Sequence, residues 1–276
     1  MKIINYNLKT NKNINNLKII LISDLHYKEK YDLNIFKNII KNLKKLKPNY
    51  ICITGDIIHN SKLKDFDSLK TFLENLSLIA PIIMVFGNHD FSNSKKYYFN
   101  NKYYQLLKKI PNLYLLNNEN ITFNNITFIG LNLPIDYYEK NNESLDSFKS
   151  FFNNLNLKLF INKNNYQIIL IHSTLAFIDV YKNEDLANLE NVDLVLSGHT
   201  HGGVVPFFLE KLFGKRGLVA PNFLKSKKIF INNVRGLIKV KNLLFIISTG
   251  ILKLHIPARK LFFKEEINVI NIKSVK

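Results

Sequence analysis

An α/β fold, with two β-sheets covered by helices in a single domain spanning residues 1–276, is what this sequence predicts. Three observations carry that expectation. Short β-branched apolar runs alternate with amphipathic stretches from Leu17 to Phe86, the pattern of right-handed parallel βαβ units. Further on, short apolar runs paired around Asn or Lys turns read as antiparallel hairpins. No repeat, linker or shift of composition marks a domain boundary.

Leu17 to Ser23 (LKIILIS) is a near-continuous apolar run, as expected of an interior strand. Asp32 is positioned to cap a helix in which Leu33, Phe36, Ile39, Ile40, Leu43 and Leu46 recur at three- and four-residue spacing. Pro48 closes that helix, and Tyr50 to Thr54 (YICIT) is the next strand. A second helix over Phe66 to Leu76 precedes a third strand, Ile82 to Phe86. Ile121 to Phe123 and Ile126 to Leu131 flank Asn124-Asn125, a hairpin turn. Ser144 to Ile161 reads as a helix with Phe148, Phe151, Phe152, Leu155 and Leu159 on one stripe. Tyr166 to Ile171 and Val192 to Leu196 are two more core strands. Gly236 to Val240 and Leu243 to Ile247 pair around Lys241-Asn242, and Ile267 to Ile272 closes the fold.

Composition narrows the class. Hydrophobic residues make up 46% of the 276, which argues for a folded chain. The single cysteine, Cys52, lies in an apolar strand, so it reads as a small core residue and fits a reducing compartment. The N-terminal MKIINYNLKTNKNINNLKIILISD holds apolar side chains only in short pieces broken by Asn and Lys, which predicts no signal peptide. No apolar run reaches the ~18 residues of a spanning helix. The expectation is a cytoplasmic protein, with peripheral attachment at the inner membrane face left open. Lys and Arg number 39 against 21 Asp and Glu, a net charge of +18. That surplus suits a polyanionic partner: an acidic membrane surface, nucleic acid or a phosphorylated substrate. Plain solvation of the surface is the alternative.

Five core runs each end in a loop of metal-ligand or phosphate-chemistry residues. The first gives SDLH, with Asp24 and His26; the second TGD, with Asp56; the third FGNHD, with Asn88, His89 and Asp90. The fourth delivers His172, and the fifth SGHTHGG, with His199 and His201. Functional groups in open α/β sheets gather beyond the carboxyl ends of strands, so these loops can converge. Each motif alone is a common turn or cap; all five in order are not. His59 and His255 fall outside the set and read as ordinary side chains.

Order and spacing resemble the calcineurin-like metallophosphoesterase superfamily, with its signature D-x-H, G-D, G-N-H-D, H and G-H-x-H. The chain is most similar to the bacterial branch with S-D-L-H and G-H-T-H-G-G. Gly236 to Val240, Ser248-Thr249-Gly250 and Pro257-Ala258-Arg259 are similar to that branch's tail. The resemblance implies a four-layer sandwich of two mixed sheets flanked by helices. It also implies a dinuclear centre: Asp24, His26, Asp56 and His201 on one ion, and Asp56, Asn88, His172 and His199 on the other, with Asp56 bridging. Such ligands suit Mn, Fe, Zn or similar divalent ions, two per chain. The implied reaction is hydrolysis of a phosphodiester or pyrophosphate by a metal-bridging hydroxide. In that scheme His89 stabilises the transition state or protonates the leaving oxygen, and Asp90 orients it through a hydrogen bond to its ring; simple packing of His89 is the alternative. Val204 stands where the branch usually has Gln, and Thr249 where it often has Arg. Neither position is a metal ligand in the family, so the departures bear on substrate only.

Two regions are candidates for setting that substrate. Val204 to Phe223 interleaves Phe207, Phe208, Leu209, Leu212 and Phe213 with Lys211, Lys215 and Arg216. The pattern fits a segment on a membrane surface or around an acyl chain, or a helix packed on the sheet with snorkelling lysines. Arg259 is a candidate contact for a substrate phosphate, or a surface charge. The leading expectation is a phosphoesterase acting on a lipid-linked or sugar-nucleotide substrate. A phosphodiesterase for nucleic acid or cyclic nucleotides is the alternative, and a metal-free binding scaffold of the same fold is the third reading.

Overall fold

The computed structural model describes residues 1–28, 33–59, 65–90, 101–139, 145–155, 163–183, 187–219, 229–251 and 265–275. Asp32, His255 and Arg259 lie outside these residues, as do Ser144 and, beyond Leu155, the end of the helix expected from Ser144 to Ile161.

The first half of the chain runs β1 (Lys2–Thr10), β2 (Leu17–Ile22), α1 (Leu33–Leu46), β3 (Tyr50–Thr54), α2 (Asp67–Ser77), β4 (Ile82–Val85), α3 (Asn101–Lys108) and β5 (Leu113–Leu115). The middle adds β6 (Glu119–Phe123), β7 (Ile126–Leu131), α4 (Ile135–Glu139), α5 (Leu145–Asn153), β8 (Tyr166–Ile171), α6 (Leu175–Asn183) and β9 (Leu194–Ser197). The last part holds α7 (Glu210–Phe213), β10 (Gly217–Val219), β11 (Ile229–Ile231), β12 (Gly236–Val240), β13 (Leu243–Ile247) and β14 (Glu266–Ser274). Two six-stranded sheets form, in the orders β1-β14-β2-β3-β4-β5 and β12-β13-β9-β8-β7-β6, and β10 and β11 pair separately. Both large sheets are mixed. In the first, β2 to β5 are parallel while β14 runs antiparallel to β2. In the second, β7, β8, β9 and β13 are parallel and the outer strands β6 and β12 antiparallel to their neighbours.

The apolar runs are continuous because these strands are covered on both faces. Alternate residues then go to different cores. Ile20, Ile22, Ile51, Ile53, Ile82 and Met84 pack under α1, α2 and α3. Their neighbours Ile19, Leu21, Cys52, Ile83 and Val85 face the second sheet, meeting Phe128, Ile168, Leu170, Leu194, Leu196 and Ile246. Ile169, Ile171, Val195, Phe245 and Ile247 point the other way, onto Phe148 and Phe152 of α5 and Phe177 of α6. Helix, sheet, sheet, helix is the four-layer arrangement that the sequence led us to expect.

The strand β1 was not foreseen. Its residues alternate between exposed and partly buried, because it forms the sheet edge, parallel to β14, with Asn and Lys on its open side. Lys12, just after it, binds Asp193 Oδ2 at 2.7 Å and the Asn165 carbonyl at 2.7 Å, tying this edge to the second sheet. The expected helix from Ser144 is shorter among the described residues, ending at Asn153. No helix of the described residues is long and apolar enough to cross a membrane.

Candidate metal centre

Because β2, β3 and β4 are parallel, their carboxyl ends open on one edge of the sandwich, where β8 and β9 of the facing sheet also end. The loops continue the strand pairing: Asp24 N–H donates to the Gly55 carbonyl at 3.1 Å and His26 N–H to Asp56 at 2.9 Å. Two bonds lock one sheet's loops to the other's. His172 Nδ1 lies 2.7 Å from the Thr54 carbonyl oxygen, and His199 N–H donates to Asp24 Oδ2 at 3.0 Å. Gly198 permits the second contact, since a Cβ there would fall 1.8 Å from Ser23 Oγ and 2.4 Å from Asp24 Oδ2.

All seven candidate ligands meet here, in two adjoining groups. Asp24, His26 and His201 bring ligating atoms within 4.8 Å of one another, as do Asp56, His172 and His199. In the first group His26 Nε2 and His201 Nε2 are 3.3 Å apart. In the second, His172 Nε2 has Asn88 Oδ1 at 3.1 Å and His199 Nδ1 at 3.1 Å. Asp56 Oδ2 sits between the groups, 3.3 Å from His172 Nε2 and 3.7 Å from His26 Nε2. Asp24, His26, Asp56, His172 and His199 are buried, while Asn88, His89 and His201 keep partial exposure and mark the open side.

Lone pairs crowd this site without protons to share among them. With Nδ1 donating to Thr54, His172 presents only Nε2 to three acceptor-bearing neighbours, and one proton there satisfies one of them. Asp24 Oδ1 is buried with no hydrogen-bond partner. Leaving a carboxylate oxygen so placed is costly unless a cation answers it. The residues therefore fit divalent ions. Electrostatics agree: burial would raise the Asp56 carboxyl, but His172, His89 and His26 hold it well below the usual carboxylate range. Burial would lower His172, yet the Asp56 carboxylate raises it to about 9 by drawing a proton to the nitrogen that a metal would take. His201 is lowered, chiefly by burial.

Backbone strain concentrates at the same place. Asp24, His26, Asp56, His199 and His201 all adopt positive φ, between 47° and 68°. Each costs roughly 1–2 kcal/mol for an L-residue, which the surrounding hydrogen bonds must offset. The strain runs on through His201, Gly202, Gly203 and Val204, at φ of 47°, 63°, 66° and 52°, a left-handed turn. Gly203 lets this turn rest on β10, as a Cβ there would fall 2.2 Å from Gly217 Cα. Arg235, 8% exposed, braces it by donating from Nη2 to the Gly202 and Arg216 carbonyls.

One expectation is corrected. Asp90 does not orient the His89 ring: His89 Nδ1 lies 2.7 Å from the His59 carbonyl oxygen. The Asp90 carboxylate instead accepts from the backbone N–H groups of Asp56, Gly87, Ile57 and Ile58 at 2.8, 2.8, 3.0 and 3.2 Å. Burial and the Asp56 charge push its carboxyl up to about 7, against the pull of those donors. Asp90 is thus a clamp on two ligand loops. Two residues at the site were not foreseen. The Tyr138 ring packs edge-on to His199 at 5.3 Å, and His59 gathers with His26 and His89 in a third group of imidazoles. Nothing in the spacing distinguished either from an ordinary core residue.

The chain belongs to the calcineurin-like phosphoesterase family, which it matches over residues 17–203, and that family defines a class of metal-dependent phosphoric ester hydrolases. Among its relatives, an uncharacterized metallophosphoesterase of Campylobacter jejuni is 29% identical over 71% of this chain and 47% of that protein. The UDP-2,3-diacylglucosamine pyrophosphatase LpxG of Chlamydia muridarum is 32% identical over 29% of this chain and 24% of its own length. This chain therefore spans less than half of either relative. Among solved structures, a dimetal phosphatase from Danio rerio aligns with a TM-score of 0.47 at 13% identity, over 85% of this chain and 87% of that one.

Proposed function

We propose that this protein is a dinuclear metal-dependent phosphoesterase that hydrolyses a phosphodiester or pyrophosphate bond in a lipid-linked or sugar-nucleotide substrate. The observation that carries the reading is the pair of adjoining ligand groups with Asp56 Oδ2 between them. Asp24, His26 and His201 would hold one ion, Asn88, His172 and His199 the other, and Asp56 both. Two divalent ions so held supply the charge that stabilises the attacking and leaving oxygens of an in-line displacement at phosphorus. His89, on the open side, would present Nε2 to the substrate, because Nδ1 faces the His59 carbonyl oxygen. Asp90 keeps the Asp56 and Asn88 loops in register by binding their backbone.

The lipid-linked part rests on a surface and a relative. Among the described residues, three of the nine exposed large apolar ones, Phe207, Phe208 and Leu212, fall within six positions of one segment just after the His201 turn. Lys211, Lys215 and Arg216 are exposed with them. The Chlamydia relative is named for a diacylated pyrophosphate substrate, which has both an acyl part and an anionic part. On this reading the segment rests against an acidic membrane surface or the acyl chains themselves.

The test is a metal-supplemented panel of aryl diesters, cyclic nucleotides, oligonucleotides, sugar-nucleotide pyrophosphates and lipid diphosphates. We expect turnover of a diester and of a pyrophosphate class, abolished by Asp56→Asn and by His201→Ala with the fold intact. Preference for nucleic acid or cyclic nucleotides would move the protein to the alternative substrate class. A chain that retains less than one metal ion and turns over nothing would be a binding scaffold instead, and the enzyme reading would be lost.

A further inference from the structure

The third imidazole group differs from the other two. His26, His59 and His89 bring ring nitrogens within 4.8 Å of one another, and among the described residues no carboxylate oxygen lies that close to all three; Asp56 Oδ2 is 3.7 Å from His26 Nε2. In both neighbouring groups a carboxylate would help the imidazoles hold a divalent ion, whereas a carboxylate would repel a phosphate. A cluster of imidazoles alone offers N–H donors and no fixed negative charge. His26 is already committed to the first ion on the reading above, so His59 and His89 are the rings left to meet substrate. Both are partly exposed, as are Asn88 and His201.

Backbone geometry holds the pair as a unit. Tyr27 bridges Ile58, and the His59 N–H donates to the Tyr27 carbonyl at 2.9 Å, extending the pairing of the two ligand loops. That pairing sets Lys28, the residue after Tyr27, alongside His59. The His59 carbonyl in turn takes His89 Nδ1 at 2.7 Å, and the two rings lie nearly parallel, 15° apart, with centroids 5.6 Å from each other. The His59 ring lies further from His26 than His89 does, with centroids 5.8 Å and 4.7 Å away.

We propose that His59, with Lys28, forms a subsite for the second phosphoryl group of a diphosphate-linked substrate whose first phosphoryl group sits at the metals beside His89. The proposal rests on the dinuclear reading above and narrows it to the pyrophosphate class. A diester presents a single charged phosphoryl group and has nothing to place against His59. A diphosphate carries its second anionic group one bridging oxygen away, within reach of the next ring.

Binding tests it without turnover. Calorimetric titration of the metal-reconstituted protein with methylenediphosphonate and, separately, methylphosphonate reads the two groups apart. His59→Ala should weaken methylenediphosphonate about tenfold, roughly 1.4 kcal/mol, and leave methylphosphonate within about twofold. His59→Gln, which keeps a donor, should recover part of the loss, and Lys28→Ala, an exposed change, should weaken only the diphosphonate. Equal weakening of both ligands, no change in either, or loss of bound metal in His59→Ala would overturn the subsite; the last would make His59 a ligand. If the diphosphonate effect appears but the activity panel is blank, the subsite stands and the hydrolytic reading falls.

Discussion

Asp90 shows how much a single carboxylate does here without touching substrate. Its two oxygens accept from four backbone N–H groups of two ligand loops, and its side chain is fully buried. Asp90→Asn keeps the shape but leaves only one oxygen, so two of those N–H groups face an amide NH₂. Each orphaned buried donor costs about 1–3 kcal/mol, and relief of repulsion with Asp56 offsets part of it. We expect a net loss of about 2 kcal/mol in denaturant unfolding, together with weaker metal retention. A variant as stable and as metal-rich as the parent would show that the clamp is dispensable.

At the scale of elements, the left-handed turn after β9 connects the chemistry to the surface. Arg235 binds the turn at the Gly202 carbonyl and reaches Glu210 of α7, with Nη1 3.7 Å from Oε1; Glu210 Oε2 also takes Lys2 Nζ at 2.7 Å. Glu210 is the only acidic residue from Val204 to Val219, and it is engaged inward. The outward side is left to Phe208, 58% exposed, Leu212, 80% exposed, and their basic neighbours. Burying one such side chain in an interface contributes about 1.5–3 kcal/mol, and each nearby cation about 1 kcal/mol against anionic lipid. The protein should therefore co-sediment with phosphatidylserine vesicles, less so at high salt, and Phe208→Ser with Leu212→Ser should reduce binding at least about tenfold. No sedimentation at either salt would remove the membrane from the account.

For the whole molecule, the two sheets close on a shared core, and the ligand loops cross between them only at their carboxyl ends. Cys52, fully buried in that core, reports on its opening, and burial pushes its thiol pKa far up. Ions bound only by the closed sandwich add stability, ~2.7 kcal/mol at a hundredfold excess over Kd. The thiol should resist a disulfide reagent in the metal-loaded protein and react faster after chelation. Equal rates with and without metal would mean that the ions do not couple the sheets.

Much of this was legible in one dimension. The strands that carry the ligands are apolar on both faces, so they announce themselves as unbroken runs, and each is followed at once by its polar loop. Asp24, His26, Asp56, Asn88, His89, Asp90, His172, His199 and His201 stood out on that basis, because strand ends fix them locally. The division of these nine into seven ligands and two others came from the resemblance to the calcineurin-like family. The edge strand β1 was hidden, since a half-exposed Asn- and Lys-rich strand has a weak pattern. His59 and the real partners of Asp90 were hidden for a different reason. Which ring faces His89, and which N–H groups meet a carboxylate, depend on the pairing of Tyr27 with Ile58 and of one loop with the next. The sequence by itself determined the strands, their order and the residue types at their ends, because these follow from local burial and periodicity. Only the tertiary structure decided the contacts among those ends, because backbone pairing between distant segments sets them.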